Sequence, residues 1–309
     1  MGRSRSCTIA QSLFRMIQPG DYILTMVSFS RESLQPDVTL LQNGKYIHSN
    51  PVGDSATTLR FDTTMRYCTG WRDLENGNWH VCDSSSIVDA KYEQCKPCMD
   101  KTGFNPAFYF ADTVSKQQEK RNAQSHVLYI SYITPGVVKV GIAHEPRKIV
   151  RLLEQGARDA LILDTFPSAN VARSYEEKIA KLDGIIEHVQ VMKKVAHLRE
   201  SYSHEQATET LDTTLAHIEQ SLGVSFDPQP LALDQYFSEH PLPDLSDAID
   251  MTGQNTISGT IIGMVGSILI SKYHDEHLLL PLKRFIGYPL HVSTGKSELT
   301  LPSRQVSLF

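Results

Sequence analysis

The sequence has no excess of basic residues and no long apolar run. Lysine and arginine together number 30 against 35 aspartate and glutamate residues, which gives a formal net charge of −5. This balance excludes a protein that is drawn onto nucleic acid by its overall charge, so any such binding needs a local basic patch. The most apolar stretch, 257–271, is shorter than the roughly 20 residues of a membrane-spanning helix. Its glycines and β-branched residues favour paired strands instead.

The N-terminal segment carries three arginines, but the apolar run of a secretory signal does not follow them. We therefore expect a cytoplasmic protein that does not associate with a membrane. Hydrophobic residues make up 40% of the chain and charged residues 21%, which is typical of a folded domain rather than a disordered one. A length of 309 residues suits two or three domains.

The type of periodicity divides the chain into five regions and predicts an α+β fold. Short apolar runs with a turn at Asn43-Gly44 indicate strands near the N-terminus. Apolar residues in 211–222 recur at helical spacing and predict a helix packed against the preceding domain. The proline-rich segment 226–247 is typical of a linker or a wrapped loop. The regions are an N-terminal β-rich region (1–66), a cysteine-rich region (67–123), a compact sheet-and-helix region (124–190), a helical and proline-rich connecting region (191–252) and a C-terminal β-rich region (253–309).

Cysteine is scarce, and four of the five cysteines are clustered. In a chain without an export signal, such a cluster favours metal binding over disulfides. A redox role for the C-x-x-C pair would need a preceding strand and a following apolar helix, and neither pattern is present. We expect one structural zinc ion and no catalytic one, because four thiolates leave no open position. His80 is an alternative ligand to the second cysteine. The four expected ligands are Cys68, Cys82, Cys95 and Cys98.

The sequence of 124–190 predicts a hairpin followed by two helices. The turn Thr134-Pro135-Gly136 separates two strand-like runs, and Gly141 lies near the end of the second run. The first predicted helix carries Arg147 and Arg151, and a second, at about 168–182, carries Glu176 and Glu177. Taken alone, this pattern fits an ordinary α/β layer with solvated charges.

The order of these residues resembles the GIY-YIG nuclease domain. Nine residues separate the two triplets, which is close to the family's usual spacing. Val127-Leu128-Tyr129 takes the place of the first triplet and Lys139-Val140-Gly141 that of the second. Arg151 matches the helix arginine, and Glu176 matches the metal-binding glutamate, with Glu177 as the register alternative.

The resemblance implies a small antiparallel sheet with flanking helices and a phosphodiester-cleaving site. In that family, the glutamate binds one divalent ion, here Mg²⁺ or Mn²⁺ at Glu176, and the arginine steadies the scissile phosphate. Lys139 stands where the second tyrosine would be, and a lysine of normal pKa is protonated at pH 7 and is a poor base. We therefore expect binding of DNA, RNA or another phosphate-bearing ligand more than cleavage.

A longer stretch of the chain is similar to an uncharacterised prokaryotic DUF family. Members of that family have a cysteine-rich region directly before a degenerate GIY-YIG-like domain. The similarity covers roughly 60–295, and it is carried by RLLEQGARDALIL at 151–163, by Gly263 and Gly266, and by Gly287-Tyr288.

Two other functions stay open at this point. One is a different class of enzyme that uses the same pocket on a small anionic substrate, with His144 as acid or base. The other is a catalytically inactive scaffold. The site residues expected from the sequence are Tyr129, Lys139, His144, Arg151 and Glu176.

Overall fold

The computed structural model describes residues 16–104 and 114–302, and the protein has the expected α+β fold. Short 3₁₀ turns at Glu145–Arg147, Asp234–Tyr236 and Leu282–Phe285 connect some of the elements. The helices are α1 (Lys96–Thr102), α2 (Lys116–Asn122), α3 (Lys148–Gln155), α4 (Ala169–Ile179), α5 (Val191–Leu198) and α6 (His204–Leu222). The strands are β1 (Gly20–Phe29), β2 (Pro36–Gln42), β3 (Lys45–Ser49), β4 (Ala56–Phe61), β5 (Arg66–Tyr67), β6 (Trp71–Arg72), β7 (Trp79–His80), β8 (Ile87–Val88), β9 (His126–Thr134), β10 (Val137–His144), β11 (Asp159–Phe166), β12 (Ile185–Ile186), β13 (Gln229–Ala232), β14 (Ile249–Asp250), β15 (Thr256–Val265), β16 (Ile268–Tyr273), β17 (Glu276–Pro281) and β18 (Pro289–Thr294).

The larger sheet joins the β-rich regions from both ends of the described chain. It has nine strands in the order β14-β17-β16-β15-β4-β18-β1-β2-β3. The N-terminal strand β4 lies between β15 and β18, and Leu59 is opposite Ile257 on one side and Val292 on the other. The expected turn at Asn43-Gly44 connects β2 to β3, and both turn residues have positive φ. The division into five regions stays a prediction.

The smaller sheet is built on the predicted hairpin. Its five strands lie in the order β12-β10-β9-β11-β13, and β9 and β10 pair antiparallel on either side of Pro135-Gly136. Gly136 has φ 77°, which places it in the left-handed region that favours glycine. The proline-rich segment 226–247 is only partly the loop expected from the sequence, because β13 within it pairs with β11. A proline is compatible with this position since β13 is an edge strand.

Side chains of the smaller sheet alternate between two cores. Val127 and Tyr129 of β9 face the core shared with α3 and the nine-stranded sheet. Leu128 and Ile130 face the opposite core, which buries the apolar stripe of α6. The prediction that the stripe at 211–222 packs against the preceding domain is therefore confirmed.

The two sheets come into close contact at a pair of glycines. Gly156 ends α3 with φ 77°, and Gly266 forms the β15–β16 turn with φ 62°. A Cβ on Gly266 would lie 3.1 Å from the backbone nitrogen of Gly156, so a side chain would separate the two backbones. The QGA stretch after Arg151 and the glycines near 263–266, noted above in separate parts of the sequence, thus meet in the fold.

The cysteine-rich region has little regular structure. Its strands contain two residues each, and its buried cluster consists of Cys68, Cys82 and Cys98 with Trp71, Val88 and Cys95 packed around them. Hydrogen bonds from this region reach the segment between β17 and β18, and one of them runs from Tyr67 N to Gly287 O at 2.7 Å. Among the described residues, no helix has both the length and the apolar character needed to cross a bilayer.

Candidate functional site

Tyr129 lies across Gly141 at the centre of the smaller sheet. The two residues are opposite each other on β9 and β10, and the tyrosine is fully buried. A Cβ on Gly141 would stand 2.4 Å from Tyr129 Oη and 2.5 Å from its Cζ. Gly141 is therefore the residue that leaves room for the tyrosine ring.

The Tyr129 hydroxyl has no hydrogen-bond partner among the residues that the structure describes. Burial raises the pKa of Tyr129 to about 12. Arg151 lowers this pKa through its charge and through a hydrogen-bond contribution, and the charge of Glu176 raises it. The guanidinium therefore lies beside the phenol oxygen without forming a hydrogen bond of standard geometry. A buried hydroxyl without a partner is costly to the fold and requires an explanation.

Lys139 belongs to the same set of charges. Its side chain is only 6% exposed, and burial followed by the charge of Arg151 lowers its pKa to about 8. The carboxylates of Glu176 and Glu187 act in the opposite direction. The ammonium donates hydrogen bonds to the backbone carbonyls of Val140 and Glu187. The structure thus brings Tyr129, Lys139, Arg151 and Glu176 together.

The two candidate glutamates of α4 have different surroundings. Glu176 is 7% exposed and accepts a hydrogen bond at 2.7 Å from Arg173 Nη1, which also lies 3.1 Å from Glu187. Glu177 is exposed and pairs with Lys181 at 3.2 Å. Glu176 is therefore the carboxylate that faces the cluster.

Arg151 connects the buried cluster to the surface. Its side chain is 44% exposed, and its ion pair with Glu154 is long, at 3.9 Å. Glu154 is held more closely by Arg147 Nη2 and Ser28 Oγ, both at 2.7 Å. The side-chain oxygen of Gln155, in the amide orientation that suits its neighbours, accepts from Arg151 Nη1 at 3.1 Å and from Nη2 at 3.3 Å. A guanidinium has five N–H donors, so some remain for an anion from solution.

His144 stands with a different group of charges. Burial lowers its pKa to about 4, and the charges of Arg121, His126 and Arg147 contribute in the same direction. The imidazole is therefore neutral at pH 7. Its role as acid or base stays a prediction. No pattern in the sequence predicted that Arg121 and Arg147 would lie near His144.

The four clustered cysteines could hold a metal ion. Their Sγ atoms lie within 4.8 Å of one another, and those of Cys82 and Cys95 are 3.8 Å apart. The backbone N–H of Cys95 donates to Cys68 Sγ at 3.2 Å. His80 lies outside this group and stacks on Trp71 with ring centroids 4.0 Å apart, so Cys82 is the member that the fold places in the cluster.

The surroundings of Cys82 favour a thiolate, which is the form that binds metals, whereas burial raises the pKa of the Cys68 and Cys98 thiols. Burial raises the pKa of the Cys82 thiol too, but backbone N–H groups of Ser86 and Ser84 and the Ser84 hydroxyl outweigh it and bring the pKa to about 6. Among the described residues, the four cysteines are the group in which three or more possible metal ligands lie close together. Glu176 is not part of such a group, and its carboxylate shares Arg173 with Glu187.

Sequence reasoning missed a set of arginines next to Glu154. Arg31, Arg72 and Arg121 come from separate segments and approach Arg147, which was the only member noted from the sequence. No local motif marks them, because their proximity depends on how the cysteine-rich region packs on the sheets.

Comparisons with known proteins agree with the resemblance to a DUF family. A family model described as "Protein of unknown function (DUF2797)" matches residues 66–290. No curated protein and no solved structure matches the chain. The matched span contains the cysteine cluster, the smaller sheet and most of the C-terminal strands of the larger one. Because the match extends over more than half of the chain, this protein belongs to the DUF2797 family.

Proposed function

We propose that this protein binds nucleic acid or another phosphate-bearing ligand through a GIY-YIG-like domain. The order of Tyr129, Lys139, Arg151 and Glu176 along the chain motivates this assignment, and their proximity supports it. Phosphate recognition needs positive charge and hydrogen-bond donors in a fixed geometry.

The unpartnered hydroxyl of Tyr129 beside Arg151 is the observation that carries the proposal. Folding gains nothing from a fully buried phenol oxygen without a hydrogen bond. A ligand oxygen held by the guanidinium of Arg151 would bring an acceptor close to that hydroxyl. The partly exposed Arg151 would be the contact from solution, and Tyr129 the deeper one.

Binding fits the geometry better than cleavage. Even with its pKa lowered to about 8, Lys139 is mostly protonated at pH 7 and donates to backbone carbonyls. Glu176 is engaged by Arg173 at 2.7 Å, so Mg²⁺ or Mn²⁺ would have to displace that arginine. A divalent ion at Glu176, if bound, would supply charge neutralisation on a phosphate.

The direct test is fluorescence anisotropy with a labelled oligonucleotide. Arg151→Ala should weaken binding about tenfold or more, because it removes a charged hydrogen-bond donor. Arg60→Ala is the matched control, since Arg60 is an exposed arginine on β4 of the larger sheet. Equal affinity of the two variants would contradict the proposed site.

A small anionic metabolite is the second candidate ligand, and burial is the observation that favours it. Tyr129, Lys139 and Glu176 are each less than a tenth exposed, which restricts access to the innermost part of the site. Mass spectrometry of molecules released from the purified protein separates the candidates. A bound metabolite without oligonucleotide would favour this second function.

We also propose that Zn²⁺ is the metal at the four cysteines. Tetrahedral zinc with Zn–S bonds of about 2.3 Å places sulfurs about 3.8 Å apart. The Cys82–Cys95 separation of 3.8 Å agrees with this, and the remaining separations stay within 4.8 Å. Four protein ligands leave no site for a catalytic water, so the ion would stabilise a region that has only two-residue strands and two short helices.

A further inference from the structure

A groove of about 700 Å³ lies where the larger sheet, the cysteine-rich region and the turn before α3 meet. Arginines from three separate segments line it. Arg31 follows β1, Arg72 belongs to β6, and Arg147 lies in the 3₁₀ turn before α3. The indole of Trp79 on β7 adds an aromatic surface, and Arg72 Cζ stands 5.9 Å from the centroid of its ring. We call this feature the arginine groove.

The guanidinium groups face a common small volume. A Cβ on Gly77 would lie 3.5 Å from Arg72 Nη2 and 3.8 Å from Arg31 Nη2. The Nη2 atoms of Arg72 and Arg31 thus both lie near the same point above Gly77, and a bound anion there would offset the repulsion between the two charges.

A protein carboxylate balances Arg147, which pairs with Glu154 at 2.7 Å, but none pairs with Arg31 or Arg72 among the described residues. None of the arginine ion pairs formed within 16–104 and 114–302 involves Arg31 or Arg72. Arg72 Nε is buried and has no hydrogen-bond partner in the same described part of the chain. Glu32 and Asp37 also line the groove, but Asp37 is held by His48 at 2.9 Å.

The electrostatics of Arg72 reflect this crowding. Burial, followed by the charge of Arg147, lowers its pKa to about 10. The charges of Arg121 and Arg31 act in the same direction, and Glu154 opposes them. Burial likewise lowers the pKa of Arg121, with Arg147 and Arg31 contributing.

We propose that the arginine groove binds the phosphate backbone of a single-stranded nucleic acid. Planar guanidinium forks suit phosphate oxygens, and an aromatic ring beside them suits a stacked base. The groove also supplies the local basic patch that a chain of net charge −5 needs for such binding.

The groove adjoins the site described above through Glu154. Arg147 lies 2.7 Å and Arg151 3.9 Å from the carboxylate oxygens of this residue. A strand held in the groove would therefore extend toward Arg151 and Tyr129. The inference rests on the proposed function in one respect, namely that the phosphate-bearing ligand is a nucleic acid strand.

The test measures the anisotropy of a labelled single-stranded oligonucleotide at several salt concentrations. Arg31→Ala and Arg72→Ala should each weaken binding about tenfold, as expected for a lost charged contact. Each should also reduce the slope of log K against log salt by about 0.7, the value for one phosphate contact on a single strand. Arg31 is exposed and unpaired within the described residues, so its variant should fold normally, and Arg60→Ala is the charge-matched control.

The outcomes separate the two proposals. If Arg31→Ala and Arg72→Ala bind like Arg60→Ala while Arg151→Ala loses affinity, the groove assignment is wrong and the proposed function stands. If the groove variants lose affinity and Arg151→Ala does not, the groove is supported and the Tyr129 site is misplaced. A wild-type protein that binds a nucleoside triphosphate but no oligonucleotide would overturn the strand assignment.

Discussion

Replacing Tyr129 by phenylalanine removes one buried oxygen atom that lies beside Arg151 but forms no hydrogen bond of standard geometry within the described residues. The hydroxyl is fully buried and has no hydrogen-bond partner among the described residues. A buried polar group without a partner costs about 1–3 kcal/mol, whereas the ring itself is unchanged. Tyr129→Phe should therefore increase the free energy of unfolding by about 1–2 kcal/mol. In a chain of this size, the melting temperature should rise by about 2–4 °C for each kcal/mol.

The same substitution should weaken ligand binding. Higher stability together with weaker binding is expected for a functional residue that lowers the stability of the fold. Tyr132→Phe is the matched control. The Tyr132 hydroxyl is also buried without a partner in the described part of the chain, but its ring faces the opposite core of the smaller sheet. This control should be stabilised to a similar extent and keep its affinity.

Thermal and urea unfolding followed by circular dichroism measure the stability, and oligonucleotide anisotropy measures the binding. A Tyr129→Phe protein that is less stable than the wild type by about 1 kcal/mol or more would refute the reasoning, because the hydroxyl would then have a stabilising partner. Identical behaviour of the two phenylalanine variants in both assays would remove Tyr129 from the site.

Three further predictions concern the metal, the central glycine and the buried lysine. Purified protein should contain one zinc ion per chain by elemental mass spectrometry. Cys95→Ser should abolish zinc binding and expose 66–104 to proteolysis, because a structural zinc site contributes about 10 kcal/mol or more to the free energy of folding. Full metal content in the variant would contradict this prediction. Gly141→Ala should destabilise the protein by about 1–3 kcal/mol in urea unfolding, because its Cβ would stand 2.4 Å from Tyr129 Oη. Gly253→Ala, where a Cβ would meet nothing within 4 Å, should be neutral, and equal effects of the two would count against the packing argument. The pKa of Lys139 is lowered from 10.5 to about 8, so the unfolded chain binds more protons in that interval and stability should rise with pH between those values. Lys139→Met should show a smaller rise, and an unchanged pH profile would argue against the lowered pKa.

Local patterns predicted the hairpin and the helices of the smaller sheet. Pro135-Gly136 supplies a turn, and the apolar stripe at 211–222 supplies a helix face, so neighbouring residues alone contain this information. The proline-rich segment 226–247 was harder to interpret. Its proline content favours a loop, and only the edge position beside β11 makes the strand Gln229–Ala232 compatible with it.

Pairing between distant segments could not be read from the sequence. Strand β4 lies between β15 and β18, which follow it by more than half of the chain. Alternation of apolar residues indicates that each segment is a strand, but it does not indicate which other strand it pairs with. The pairing of the two ends of the described chain in one sheet therefore appears only in the fold.

The residues of the candidate site also differ in whether the sequence predicts them. Tyr129, Arg151 and Glu176 were proposed from their order along the chain, and the structure places them near one another. Arg31 and Arg72 have no sequence signal, since single arginines in loops and short strands are usually solvated. Arg72 reaches Arg147 through the packing of the cysteine-rich region, whereas Arg31 reaches it through the packing of α3 on β1.

Photochemical crosslinking tests the central claim most directly. A single-stranded oligonucleotide containing 5-bromouracil is irradiated with the wild-type protein, and the crosslinked peptides are identified by mass spectrometry. We predict crosslinks in peptides that contain Trp79 and in those from β9 to α3, and their loss in the Arg151→Ala and Arg31→Ala proteins but not in Arg60→Ala. Crosslinks confined to α6 or the outer strands of the larger sheet, or an equal yield in all variants, would contradict the account.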